Sequence, residues 1–315
     1  MKLSITIALC AVILWKVDWR ETWQALQQTN LIILCAVFAG MILNVLASTL
    51  KWKILLSIHE IQFKFSQLCK YYFTASFFNN FLPSTIGGDG YRIYKTFKNP
   101  VSKAGAFTSV FIERITGISA LMFIGFIGGI ISYLKTGNEI SRLVVFGGSL
   151  GLGILILFVL AVKFTASPLK RLGNKILPQR FHEVVEHLKD YKHNNRKILM
   201  VILLSLFFQL FLLFYRLFLI YAVGASISIA NLAVVVALST IVALVPISIN
   251  GIGLLDGSFI YLLVTFNVSY EQAFIVMILI RLLNFPLGLI GGIFYFFDKK
   301  SLRVDHYGLG ELKKT

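Results

Sequence analysis

Seven ionisable side chains stand inside or beside long apolar runs: Asp89, Arg92, Glu113, Arg114, Arg216, Asp256 and Arg281. Each costs about 2.5 to 3.5 kcal/mol to place at the centre of a membrane helix, so each needs a partner or a task. Four cations against three anions leave the set net positive. A guanidinium offers a planar pair of N–H donors matched to phosphate oxygens, and this chemistry suits an anionic headgroup. Glu113 and Arg114 are adjacent and project about 100° apart on a helix, so one of them is expected to pair with a neighbouring segment. Arg216, near the end of its apolar run, is expected to snorkel.

Glycines surround these residues. In "NNFLPSTIGGDGYRIYKTFK", residues 79 to 98, Gly87, Gly88 and Gly90 follow Pro83 and flank Asp89 at an expected helix start. Backbone N–H groups there can cradle an anion, aided by the helix dipole. "VPISINGIGLLDG" at 245 to 257 repeats the composition, with Pro246, Gly251 and Gly253 at the offsets of Pro83, Gly88 and Gly90. Its third glycine falls one residue late for a dinucleotide fingerprint and no βαβ pattern surrounds it. Asn79, Asn80, Asn250 and Asn284 read as helix–helix glue, and Gly125/Gly129, Gly147/Gly151 and Gly288/Gly292 as small-residue packing contacts.

The elements that must position these groups are membrane helices. Of the 315 residues 57% are hydrophobic and 14% charged, with a mean hydropathy of +0.80, whereas a soluble domain carries roughly 25% charged residues. Apolar stretches at 31 to 50, 116 to 134, 143 to 162, 198 to 223 and 272 to 297 approach or exceed the ~20 residues of a spanning helix. Barrel-type alternation is absent. The expected fold is an all-α polytopic membrane protein of about six to eight membrane helices, with two broken or re-entrant hairpins in two inverted repeats. The opening "MKLSITIALCAVILWKVDW" resembles a secretory signal, but with no small-residue cleavage site it reads as an uncleaved first span.

The net charge of +16 does not indicate nucleic acid, because the basic residues cluster in short loops beside apolar spans. Residues 166 to 197 hold eight Lys/Arg against three Asp/Glu and are expected to be cytoplasmic, with Phe181, Val184, Val185, Leu188 and Tyr191 forming an amphipathic helix on the inner headgroups. The tail after Phe297, with Lys299, Lys300, Arg303, Lys313 and Lys314, falls on the same side. Lys51, Lys53 and Lys64 before the first broken hairpin (65 to 98), and Lys95, Lys98 and Lys103 at its end and after it, make it enter and leave from the cytoplasm. The second (230 to 265) then dips in from outside. The expected division is a membrane half at 1 to 165, the basic loop at 166 to 197, a second half at 198 to 297 and a tail at 298 to 315. Both termini are expected to be cytoplasmic.

Catalytic and metal constellations are not evident. His59, His182, His187, His193 and His306 fall outside clear spans, and Cys10, Cys35 and Cys69 lack metal or disulfide spacing. Asp89 has no close acidic companion to share Mg²⁺, and no GxxxxGK[ST] loop is present, so no cofactor is expected.

"FLPSTIGGDGYRIYKTFK", then "FIERITG", then "LVPISINGIGLLDG" with "ILIRLLNFPLG" resemble the lysylphosphatidylglycerol synthase transmembrane-region family, also called flippase-like, over about residues 5 to 298. The resemblance implies an inner-membrane protein related to the flippase half of the bacterial multipeptide resistance factor, which is associated with moving aminoacylated phosphatidylglycerol between leaflets. It implies functional roles for Pro83, Gly87, Gly88, Asp89, Arg92, Glu113, Arg114, Pro246, Gly251 and Gly253, with Arg281 joining them; Asp256 is added from the charge reading. The full synthase carries a soluble aminoacyl-transfer domain after its membrane region, and 18 residues follow Phe297 here, so this chain is not expected to lysinylate a lipid itself. The expectation is a transporter of anionic or aminoacylated lipid headgroups whose partners are membrane lipids and a separate lipid-modifying enzyme. The competing classes are an enzyme acting on a lipid or polyprenyl phosphate, and an accessory subunit of a synthase.

Overall fold

The computed structural model describes residues 2–27, 29–81, 87–97, 100–164, 190–191, 194–243, 248 and 251–308. Eleven helices occur among them and no strand. They are α1 (Lys2–Trp15), α2 (Trp19–Gln27), α3 (Leu31–Ile58), α4 (Phe65–Phe81), α5 (Gly87–Thr96), α6 (Pro100–Thr136), α7 (Glu139–Phe164), α8 (Asn195–Ala222), α9 (Ile229–Ala243), α10 (Leu254–Thr265) and α11 (Tyr270–Gly308). The spans at 31–58, 103–136, 195–222 and 270–297 are each long and apolar enough to cross a bilayer, and 6–15, 229–243 and 254–265 are shorter apolar helices. The protein is thus an all-α, multi-pass membrane protein. Pro83, Pro246 and most of the expected amphipathic helix at 181 to 191 lie outside the described residues.

The helix order long, short, short, long occurs twice, as α3–α6 and as α8–α11. An offset of 167 residues carries Asp89 onto Asp256 and Arg114 onto Arg281, and "DGYRIY" at 89–94 onto "DGSFIY" at 256–261. This register replaces the pairing of Gly88 and Gly90 with Gly251 and Gly253 expected from the proline spacing. The physical reason is that the glycines do different work. Gly251 and Gly253 adopt φ of 69° and 82° ahead of α10, whereas Gly88 and Gly90 lie inside α5. A Cβ on Gly88 would collide with the Ala75 carbonyl of α4, so Gly88 allows close helix approach.

The equivalent helices α3 and α8 pack antiparallel. Lys197 at the start of α8 reaches the Ser57 carbonyl near the end of α3, Lys51 reaches Ser205, and Gly40 sits against Phe211. Two copies of one unit running the same way through a bilayer would align these helices in parallel, so the halves are inverted. They also exchange partners: α4 packs on α11 and α9 packs on α6. Small residues let both seams close. Gly125 and Gly128 face Ala237 and Ala233, while Gly291 and Gly292 face the backbone of Phe73 and the ring of Phe77, and the 167 offset carries Gly125 onto Gly292. A Cβ at residue 291 would overlap the Phe73 carbonyl oxygen, so Gly291→Ala is expected to force α4 and α11 apart. The cost is about 1–3 kcal/mol of overpacking, read as a lower midpoint in detergent unfolding, while Gly153→Ala, where no described residue lies within 4 Å of the added Cβ, should not lower the midpoint.

At the end of α3 a buried His59 ring joins the first half to the segment just ahead of α8, through Tyr191 (Nε2 to hydroxyl 2.8 Å) and Asp190 (Nδ1 to carboxylate 3.3 Å). Burial, with Asp190 beside it, pushes the Tyr191 phenol up. Tyr191, expected on a surface helix, is instead part of this seam.

Candidate functional site

The first site forms where α5 leans on α6. On α5 the residues at i, i+3 and i+7 are Asp89, Arg92 and Thr96, all buried, and they face α6 while Gly88 faces α4. Arg92 spends its guanidinium on two carboxylates, with Nη2 to Asp89 Oδ1 and Nη1 to Glu113 Oε2, each 2.7 Å. Arg114 donates to the other Asp89 oxygen from Nε at 2.8 Å and Nη2 at 2.7 Å. The Tyr72 hydroxyl of α4 closes the set on Glu113 Oε1 at 2.9 Å. The Arg92 guanidinium also lies over the rings of Tyr72 and Trp52, 4.5 and 5.0 Å from their centroids, where the quadrupole favours a cation.

Both adjacent residues, Glu113 and Arg114, therefore reach α5, because Asp89 and Arg92 present acceptors and donors one helical turn apart. Their exposures differ. The Arg92 side chain is 4% exposed and Glu113 6%, but Arg114 is 44% exposed. Arg92 and Glu113 form the braced interior and Arg114 the open edge.

The second site repeats the pair more simply. Asp256 stands at the third position of α10 and reaches back to accept the Gly253 N–H at 3.0 Å, capping the helix. Its Oδ1 accepts from Arg281 Nε at 3.0 Å and Nη2 at 2.7 Å. Arg281 is 29% exposed. At the offset of 167 the bracing Arg92 and Glu113 become Phe259 and Ile280, so the equivalent positions bring no charge to this pair. It is instead covered by α1: Leu9 abuts Gly253 and Ile13 lies 3.6 Å from a Cβ placed on Gly257. Nothing among the described residues lies within 4 Å of the same position on Gly90.

One expected site residue, Gly88, does other work, while Asn80 and Asn284 join helices as expected. The Gly88 N–H donates to Asn79 Oδ1 at 3.0 Å, so it is already used. Asn80 donates to the Asn284 carbonyl at 3.2 Å, and Gln209 to the Gly117 carbonyl at 3.0 Å. These carbonyls sit three residues after Arg281 and Arg114, so each half steadies the arginine helix of the other. Arg216 does not behave as a snorkelling end residue. Its guanidinium lies over the Phe259 ring at 5.4 Å, with a buried Nε.

Lys51 is expected at a cytoplasmic flank of its apolar run. The structure places it inside α3, 4% exposed, donating to the Glu113 carbonyl at 3.3 Å and to Ser205 Oγ at 3.2 Å. The signal is present: Asn44, Ser48 and Lys51 recur at helical spacing, a polar stripe on a mainly apolar helix, and all three are buried. Tyr72 and Trp52 were also missed, because an aromatic residue in an apolar run carries no mark of its polar partner.

The fold and the two sites define a membrane-embedded helical protein of two inverted halves, each presenting a partly exposed arginine held by an aspartate. The family model described as Lysylphosphatidylglycerol synthase TM region matches residues 1–292, and the chain belongs to that family. A protein named UPF0104 membrane protein MJ1078, of Methanocaldococcus jannaschii, is 28% identical to it over 240 residues, covering 72% of this chain and 96% of that relative.

Proposed function

We propose that this protein carries the phosphate-bearing headgroup of an anionic or aminoacylated phospholipid between the leaflets of the cell's inner membrane, the acyl tails staying in the bilayer. One observation carries the reading: Asp89–Arg114 and Asp256–Arg281 are the same pair in two inverted halves, and both arginines keep part of their surface exposed. Aspartate holds each guanidinium in place, and each keeps an exposed face that a phosphate can approach. Asp89, Glu113 and Asp256 thus orient arginines. The membership of a family described by a lipid synthase's membrane region supports a lipid as cargo.

The test is exchange of headgroup-labelled lipids in sealed vesicles containing the purified protein, followed with an external quencher. Phosphatidylglycerol, its lysylated form and a polyprenyl phosphate should be compared, and at least one should become quenchable faster than in protein-free vesicles. Equal rates for all three would contradict the proposal. Chemical conversion of the lipid in detergent, where leaflets do not exist, would favour an enzyme instead.

A further inference from the structure

The charges of the first site do not balance. Lys51, Arg92 and Arg114 stand against Asp89 and Glu113, and both carboxylates are fully engaged: Asp89 by two arginines, Glu113 by Arg92 and Tyr72. Lys51 is the member whose hydrogen-bond partners are neutral, a backbone carbonyl and a serine hydroxyl. Ser205 donates its own proton to the Val201 carbonyl at 2.8 Å, so it accepts from Lys51. An ammonium has three donors and a free amine two, and the pocket supplies two acceptors. Gly117, which leaves the amine 3.8 Å from where a Cβ would stand, keeps room beside it.

The surroundings are accounted for on each side. From α6 come Glu113 and Arg114, from α5 Asp89 and Arg92, and from α4 Tyr72. From α8 come Ser205 and the Phe208 ring, 5.9 Å from Nζ. A third positive charge beside two guanidinium groups is unfavourable inside a bilayer unless a further anion arrives.

We propose that Lys51 is the proton-carrying residue of the first site: it takes up a proton when an anionic headgroup docks on Arg114 and gives it up when the headgroup leaves. Lipid and proton then bind together, and the loaded site holds three cations against two carboxylates and one phosphate. The balance closes, with the proton coming from water and moving onto Nζ without any bond to the lipid being made or broken. This rests on the headgroup reading above and adds its coupling ion.

The experiment measures proton uptake in weakly buffered detergent solution as the purified full chain is titrated with dihexanoyl phosphatidylglycerol. Wild-type protein should take up about one proton per bound probe, and Lys51→Met and Lys51→Arg none. Binding by wild type without proton uptake would overturn the proposal while leaving the lipid reading intact. Uptake persisting in either variant would overturn it too. Absence of any binding would overturn the lipid reading and the proposal with it. The wild-type arm decides even where a variant fails to fold.

Discussion

Replacing Arg92 with Leu is expected to be the most destabilising single change in the first site. The guanidinium is 4% exposed and joins Asp89 and Glu113, themselves buried, so its loss leaves two carboxylates with part of their compensation gone. Breaking a buried pair by removing one partner costs about 3–5 kcal/mol, because the remaining charge stays desolvated. The rings of Trp52 and Tyr72 lose their cation as well. The midpoint of unfolding in detergent should fall sharply. The double variant Arg92→Leu/Glu113→Leu should recover much of the loss, since Asp89 keeps Arg114 and the second carboxylate is gone. A single variant as stable as wild type would mean that the cluster is solvated and not an internal brace.

Arg114→Gln and Arg281→Gln are expected to separate function from fold. Arg114 is nearly half exposed and Asp89 retains Arg92, so the stability cost should be only about 1 kcal/mol. Asp256 is 9% exposed and its charged partner is Arg281, so Arg281→Gln should cost more, although the amide and the Gly253 N–H still offer hydrogen bonds. Both should slow headgroup exchange in vesicles at least about tenfold, equivalent to ~1.4 kcal/mol of lost headgroup interaction. Lysine at either position should restore part of the rate: it keeps the charge and loses the paired planar donors. Exchange at the wild-type rate in both glutamine variants would remove these arginines from the path.

The class of fold was legible because the bilayer imposes a simple rule: a spanning backbone must satisfy itself, so long apolar runs are helices. The two broken segments were legible from Pro and Gly, since α4 and α5, and α9 and α10, stand on either side of them. Their residue register was not. Pro83/Gly88/Gly90 against Pro246/Gly251/Gly253 matched as letters, but a glycine needed for a positive φ and one needed for close approach look alike in sequence. The Asp-to-Arg spacing of 25 residues, repeated in each half, identifies the equivalent positions because it reflects a contact. The charged candidates Asp89, Arg92, Glu113, Arg114, Asp256 and Arg281 were legible from their cost in an apolar field. Lys51 was misplaced because positive-inside reasoning treats a lysine near the end of an apolar run as a flank, and only tertiary packing shows which face of α3 it occupies.

Inversion of the two halves places the ends of the equivalent helices α3 and α8 on opposite faces, and the exposed Glu60 and Ser226, just beyond those ends, report on it. In a chain freed of Cys10, Cys35 and Cys69, a cysteine at each position in turn can be challenged with a membrane-impermeant maleimide from either side of oriented vesicles. Labelling of Glu60→Cys is expected from one side and of Ser226→Cys from the opposite side. Labelling of both from the same side, or of neither from any side, would contradict it.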